Sequence, residues 1–188
     1  MGVPMAFALV TFLFAVIHIN PAMPKWKAHA VQTFGKAYGP VYGIVSLLLL
    51  IAILWAFRNA EPGYTYDPPE WGRHANFAFT LIGFLCLGVF LFRGSWRNRL
   101  KFPMAIGIGF WAYGHLLANG DQRTTVLFGG LTVIAALFAY LKNQNMPFVP
   151  SEVRQGHNLI SILGGTALYG IAAQLHQVIA GVPVVTLQ

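Results

Sequence analysis

Six histidines, His18, His29, His74, His115, His157 and His176, carry the widest chemical reach in this 188-residue chain. An imidazole serves as general base, proton carrier or metal ligand. The surrounding residue types narrow that choice. No HExxH or Cys-x-x-Cys pattern occurs, so a zinc site is not spelled out. The single cysteine, Cys86, lies within an apolar run, forms no internal disulfide and reads as a small buried hydrophobe. The five carboxylates are scattered over different connections, which argues against a cage for a hard cation. Glu61 and Glu70 lie within EPGYTYDPPEWG, a proline-rich solvated turn rather than an acid–base pair. Ser46, Ser95, Ser151 and Ser161 lack a GxSxG context for nucleophilic catalysis. Haem iron asks for less, one or two axial ligands in an apolar surrounding.

Two histidines stand out by context. His18 closes the apolar run LVTFLFAVI and precedes INPAMP, where it is a candidate ligand or an interfacial hydrogen-bonding residue. His115 follows Pro103 by twelve residues, about 18 Å along a helix, beyond the bilayer midplane if Pro103 starts near the cytoplasmic face. It is a candidate ligand or a neutral imidazole bonded to another helix. Trp111 stands one turn before it, and Gly114 removes bulk beside it, so the two are candidates for one wall of a flat cofactor pocket or for ordinary packing. Beyond His115, LLANGD reads as a helix end and turn, with Asn119 in the turn and Asp121 capping the next helix.

The elements that position these residues follow from composition. Hydrophobic residues make up 56% of the chain and charged ones only 9%, against about 25% charged in an ordinary soluble domain. This is the balance of a membrane protein. Six apolar runs, residues 5–19, 42–57, 77–92, 103–118, 125–141 and 159–180, predict an all-α, polytopic integral membrane bundle of six transmembrane helices. The fourth run is the shortest, leaving five spans plus one tilted or re-entrant segment as the alternative. The start of the chain has no basic n-region and no small-residue cleavage site, so it reads as a retained first helix; Ala6 breaks the myristoylation pattern opened by Met1-Gly2.

Charge orients the bundle. The first, third and fifth connections hold three, four and two of the twelve basic residues: Lys25, Lys27 and Lys36; Arg93, Arg97, Arg99 and Lys101; Lys142 and Arg154. The positive-inside rule puts these connections in the cytoplasm and both termini on the periplasmic side of a bacterial inner membrane. His74, His115 and His176 then fall toward the outer face, and His18, His29 and His157 toward the cytoplasm. Trp55, Trp71 and Trp96 fall near interfaces. The net charge of +7 is distributed between apolar runs, not along one polar face, so nucleic acid is not an expected partner; membrane lipid is. GIGFWAYG lacks a preceding strand and a following Lys-Ser/Thr, and is not a phosphate loop. Glycine pairs such as Gly83/Gly88, Gly107/Gly109, Gly129/Gly130 and Gly164/Gly165 read as close helix contacts.

With these features in place, FWAYGHLLANGDQRTTVLFGG and HINPAMPKWKAHAVQTFGKAYGPVYGIVSL resemble the NnrU family of bacterial integral membrane proteins, whose relatives include the plastid 15-cis-zeta-carotene isomerase. The resemblance spans residues 7–140 and implies a single NnrU-like transmembrane domain over 1–188. It implies a link to bacterial nitrogen-oxide metabolism, with nitrite or nitric oxide reductase components as partners. The isomerase relatives carry haem b on histidines that fall on His18 and His115, and an apolar small molecule is the implied substrate class; helix depth instead offers His74 or His176 as the partner of His115. The resemblance is incomplete. A cysteine three residues before the second histidine falls on Ala112, and an imidazole usual before the helix-starting proline falls on Phe102. The alternatives to a haem protein are a non-enzymatic membrane accessory or assembly protein and a small-solute transporter, the last lacking clear inverted repeats.

Overall fold

A computed structural model describes residues 5–184; the Met1-Gly2 opening lies outside the described residues. The structure is all-α among these residues, with eight α-helices. In chain order they are α1 (Met5–Ile19), α2 (Pro24–Phe34), α3 (Tyr38–Asn59), α4 (Gly72–Phe92), α5 (Ser95–Leu100), α6 (Pro103–Ala118), α7 (Gln122–Asn145) and α8 (His157–Ala180). Five stretches are long and apolar enough to cross a membrane: Met5–Ala22, Pro24–Asn59, Gly72–Phe92, Gln122–Asn145 and His157–Ala180. The chain is therefore a membrane-spanning helix bundle with five candidate spans rather than the six expected. The exception is α6, whose 16 residues extend about 24 Å where a hydrocarbon core is about 30 Å thick.

The helices outrun the apolar runs that announced them. Polar residues at a membrane interface keep the helical backbone, so α3 begins at Tyr38, α4 at Gly72 and α7 at Gln122. Two short helices, α2 and α5, occupy connections that carried no apolar signal. The prolines of the first connection start elements rather than break them: Pro21 and Pro24 sit in first turns, where the missing N–H has no intrahelical acceptor to lose. Helix α4 starts at Gly72 with no side-chain cap, and Arg73 to Asn76 lie inside its first turns.

Contacts divide the chain into two compact units, residues 1–66 with 120–148 and residues 67–119 with 149–188. In the first unit α1 packs against α3 and α7. Phe7, fully buried, meets the edge of Phe57 with ring centroids 6.1 Å apart, and the buried Thr11 hydroxyl donates to the Phe7 carbonyl at 2.9 Å. Arg123 of α7 ties down the end of α3. Its Nη1 donates to the carbonyls of Phe57 and Ala60 at 3.3 and 3.2 Å, while the guanidinium lies 4.7 Å from the Phe57 ring centroid. Asp121 caps α7 as expected, its Oδ1 accepting from the Thr124 N–H at 3.0 Å. Burial, and then the Asp121 charge, raise the Tyr66 phenol above its ordinary pKa.

Tyr66 and Thr65 also donate their N–H groups to the Gly120 carbonyl, at 3.2 and 2.9 Å, and Gln122 donates to the Pro62 carbonyl at 2.8 Å. The second connection is thereby hydrogen-bonded to the fourth. At the other end, Asn145 Nδ2 donates to the Ala22 carbonyl at 3.3 Å, joining the end of α7 to the first connection.

The second unit is organised on α4, which carries α6 and α8 as antiparallel neighbours. Glycine is what lets them approach. A Cβ at Gly83 would lie 2.8 Å from the Gly107 carbonyl oxygen, and one at Gly107 would lie 2.7 Å from the Gly83 oxygen. A Cβ at Gly88 would strike the Ser161 carbonyl, and one at Gly165 would lie 2.6 Å from the Phe84 oxygen. By contrast, Gly129 meets nothing within 4 Å, so only some of the glycine pairs are helix contacts. The basic ends are tied as well: Asn98 Nδ2 donates to the Ser151 carbonyl at 2.9 Å, and the Arg154 N–H donates to the Arg93 carbonyl at 3.1 Å. Large apolar side chains of α3 and α8, among them Leu48, Ile51, Trp55, Leu159 and Val178, remain exposed, as a lipid-facing surface requires.

Two stability outcomes follow from these contacts. Gly88→Ala lowers the thermal midpoint in detergent, a cost of about 1–3 kcal/mol from overpacking against α8, whereas Gly43→Ala in α3, with open space at its Cβ, leaves it unchanged or raised. Asp121→Ala destabilises by about 1 kcal/mol through loss of the α7 cap, and Asp121→Ser recovers most of it in the same melting experiment.

Candidate histidine site

Backbone direction determines which histidines gather. Gly114 of α6 lies against Asn76 and Phe79 of α4, Gly107 against Gly83, and the His157 end of α8 against Phe92. Helices α6 and α8 therefore both run opposite to α4 and parallel to one another, and their C-terminal ends lie beside the start of α4. His115 is three residues from the end of α6 and His176 four from the end of α8. Their imidazole centroids are 6.4 Å apart, with ring planes at 24°.

The hydrogen bonds of both rings define their protonation. His115 Nδ1 is 2.8 Å from the Trp111 carbonyl oxygen, one turn earlier on the same helix. A carbonyl only accepts, so Nδ1 carries the proton and, in the neutral ring, the lone pair is on Nε2. His176 Nδ1 is 2.8 Å from the Val182 carbonyl, with the same consequence. Arg73, in the first turn of α4, donates from Nη2 to the Val184 carbonyl at 3.2 Å and so holds the segment that anchors His176. A neutral imidazole with Nδ1–H committed to a carbonyl and its lone pair on Nε2 is the form that metal-ligating histidines take.

The other residues singled out in the sequence take distinct places. Trp111 supplies the carbonyl for His115 and sets its indole edge-on to the imidazole, centroids 5.2 Å apart and planes at 65°. Gly114 faces α4: a Cβ there would lie 2.7 Å from Asn76 Oδ1 and 2.9 Å from Phe79 Cβ. Its small size brings α6 onto α4. Asn119 closes α6, with both its N–H and its Nδ2 donating to the His115 carbonyl, at 3.1 and 2.9 Å.

His18 belongs to the first unit and His115 to the second. His18 repeats the one-turn pattern, its Nδ1–H donating to the Phe14 carbonyl at 2.8 Å, so its lone pair is also on Nε2. Phe14 stacks on its ring at 3.8 Å, and Tyr42 of α3 stands 5.8 Å away. His74 and His29 are exposed. The His157 Nδ1–H donates to the Phe92 carbonyl at 2.6 Å, tying the start of α8 to the end of α4. Among the described residues, no group of three or more His, Cys, Asp or Glu gathers to hold a metal ion.

The pairing of His115 with His176 had no local signature in the sequence, because it depends on two helices docking on a third. The Val182 anchor was equally silent, lying six residues beyond His176 and outside any helical spacing. The Trp111 and Phe14 carbonyl bonds did leave a trace, a histidine in the last turn of an apolar helix.

The family described as NnrU protein matches residues 6–184, which run through both units. No curated protein and no solved structure matches the chain. With nearly its whole length matched and its helices long enough to cross a bilayer, the chain belongs to the NnrU family of membrane proteins.

Proposed function

We propose that this NnrU family member is a haem b-binding protein of the bacterial inner membrane that acts in nitrogen-oxide metabolism, with His115 as an iron ligand. The observation that carries the reading is the bond from His115 Nδ1–H to the Trp111 carbonyl, which directs the ring's basicity to Nε2 in an apolar helix end. The donor chemistry fits the group. Haem needs one or two imidazoles rather than a three-residue cluster, and the helices bring apolar and aromatic surface with Trp111 beside the ring. When bound, haem b supplies an iron centre whose redox and ligand-exchange behaviour is tuned by its axial ligands and by water exclusion. The protein's own part is to hold the His115 tautomer through Trp111, keep α6 on α4 through Gly107 and Gly114, and close the helix end with Asn119.

The association with nitrogen oxides, and with nitrite or nitric oxide reductase components as partners, is supported by family membership. The reading stops short of a carotenoid isomerase, because Ala112 and Phe102 stand where the isomerase-like pattern has side chains able to ligate or transfer protons.

Six spans with both termini periplasmic are supported by the six apolar runs and by the basic residues of the first, third and fifth connections. Second and fourth connections are hydrogen-bonded to each other within one unit, so a chain that crosses in α4 has to return through α6. The first and third connections are each bonded to the fifth, through Asn145 and Asn98. The short α6 crosses where local thinning or helix tilt absorbs the mismatch.

Protein purified from cells supplied with ample haem shows a Soret band and stoichiometric iron, and His115→Ala lowers the haem content at least about tenfold while leaving the helical circular dichroism intact. A wild-type protein with no Soret band and no iron overturns the reading. In a Cys86→Ala background, a membrane-impermeant maleimide labels Glu61→Cys in intact cells and Arg99→Cys only after permeabilisation. The opposite pattern reverses the orientation.

A further inference from the structure

We propose that the basic platform at the end of α4, built from α5 and residues 151–158, binds the phosphate of an anionic phospholipid headgroup, with Arg93, Lys101 and Arg154 as its contacts. The site lies at the opposite end of α4 from His115 and does not depend on haem.

Tertiary bonds gather the cations from two segments of the second unit. The Arg154 N–H donates to the Arg93 carbonyl at 3.1 Å, Asn98 Nδ2 donates to the Ser151 carbonyl at 2.9 Å, and the Ser151 N–H returns a bond to Asn98 Oδ1 at 2.9 Å. Asn158 accepts from the Trp96 N–H at 3.2 Å and donates to Ser95 Oγ at 2.7 Å. The platform fixed in this way carries Arg93, Arg97, Arg99, Lys101 and Arg154 against one carboxylate, Glu152. Arg97 is held from below, its Nη1 donating to the Phe90 carbonyl at 2.9 Å. Burial, and then the Arg93 charge, keep its guanidinium below the ordinary arginine pKa. An anion on the platform relieves that repulsion between like charges.

The backbone singles out two of the five. Among the described residues, Arg93 and Lys101 are the non-glycine residues with a positive φ, both at 57°. Arg93 closes α4 in the left-handed conformation, which glycine adopts without steric conflict. Lys101 ends α5 with ψ at −52°, and the Phe102 N–H donates across it to the Leu100 carbonyl at 2.6 Å, a three-residue turn that is rare and strained. A cation that served only to orient the chain in a membrane works equally well one position away, on relaxed backbone. Strain kept at two cations that bracket one helix is the mark of a binding site.

Position supplies the chemistry of the ligand. Helices α4 and α8 are both candidate spans, and the platform stands at the end of one and the start of the other, at the depth of lipid headgroups. Leu91 and Leu159, in the adjoining turns of α4 and α8, are exposed, as contact with acyl chains requires. Guanidinium forks pair with phosphate oxygens, and a phospholipid adds the chains that a free phosphate lacks.

The test titrates the full-length protein in detergent with phosphatidylglycerol, phosphatidylethanolamine or inorganic phosphate, reading lipid occupancy by native mass spectrometry and the thermal midpoint in parallel. Wild type binds phosphatidylglycerol at least about fivefold more tightly than phosphatidylethanolamine, and Arg93→Gly weakens that binding about fivefold, the weight of one basic residue at an anionic surface. The lipid-free midpoint of Arg93→Gly is unchanged or raised, because glycine relaxes the left-handed position, and Arg93→Lys keeps most of the binding. The combined Lys25→Gln, Lys27→Gln and Lys36→Gln variant, which removes charge from the first unit, leaves the lipid preference in place. An Arg93→Gly protein that melts lower yet binds phosphatidylglycerol like wild type overturns the proposal, as does a loss of preference confined to the lysine variant. Inorganic phosphate acting as strongly as phosphatidylglycerol overturns the lipid assignment. Equal binding of the two lipids by wild type also overturns it, and decides the matter if the variants fail to fold.

Discussion

Close backbone approach along α4 is the constraint on which the second unit depends. Lipid offers helices no hydrophobic reason to associate, so the gain comes from van der Waals contact and from hydrogen bonds at the ends. Contact at backbone distance requires that Cβ be absent where two helices meet. Gly83 with Gly107 and Gly88 with Gly165 meet that requirement on α6 and α8 respectively. With both helices seated antiparallel to α4, their C-terminal ends have one place to go, and His115 and His176 arrive there together.

Hydrogen bonds between connections complete what packing begins. A helix pair in a bilayer slides and rotates at little cost unless its ends are held. Here Arg123 holds the end of α3, Asn145 reaches the first connection, Asn98 exchanges bonds with Ser151, and His157 ties α8 to Phe92. These are polar side chains satisfied by backbone groups of helix ends and, at Ser151, of a connection. The result is a set of short connections that brace the helices although no extramembrane domain lies among the described residues.

The histidines show how one residue type divides into separate jobs by the carbonyl it meets. His157 bonds to a neighbouring helix end and serves architecture. His18 and His115 bond one turn back on their own helices, which orients the ring and puts the Nδ1 proton on a carbonyl. His176 is oriented from outside its helix, by a segment that Arg73 in turn holds.

Much of this protein is written locally. Apolar runs in a chain with 9% charged residues determine membrane helices, because no other element satisfies its own backbone in lipid. Asp121 as a cap and the turn at Asn119 are likewise short-range matters, set by side chains within four residues of the groups they bind. The short helices α2 and α5 escaped because their formation draws on interfacial surroundings rather than on an apolar stripe. Gly114 was legible as a small residue but not as the seat of α6 on α4, since the neighbour it admits, Asn76, is far away along the chain. Helix depth grouped His74 and His176 with His115 but did not choose between them. A contact between two histidines some sixty residues apart is decided by which way two helices run along a third, and that direction exists only once the tertiary structure has formed.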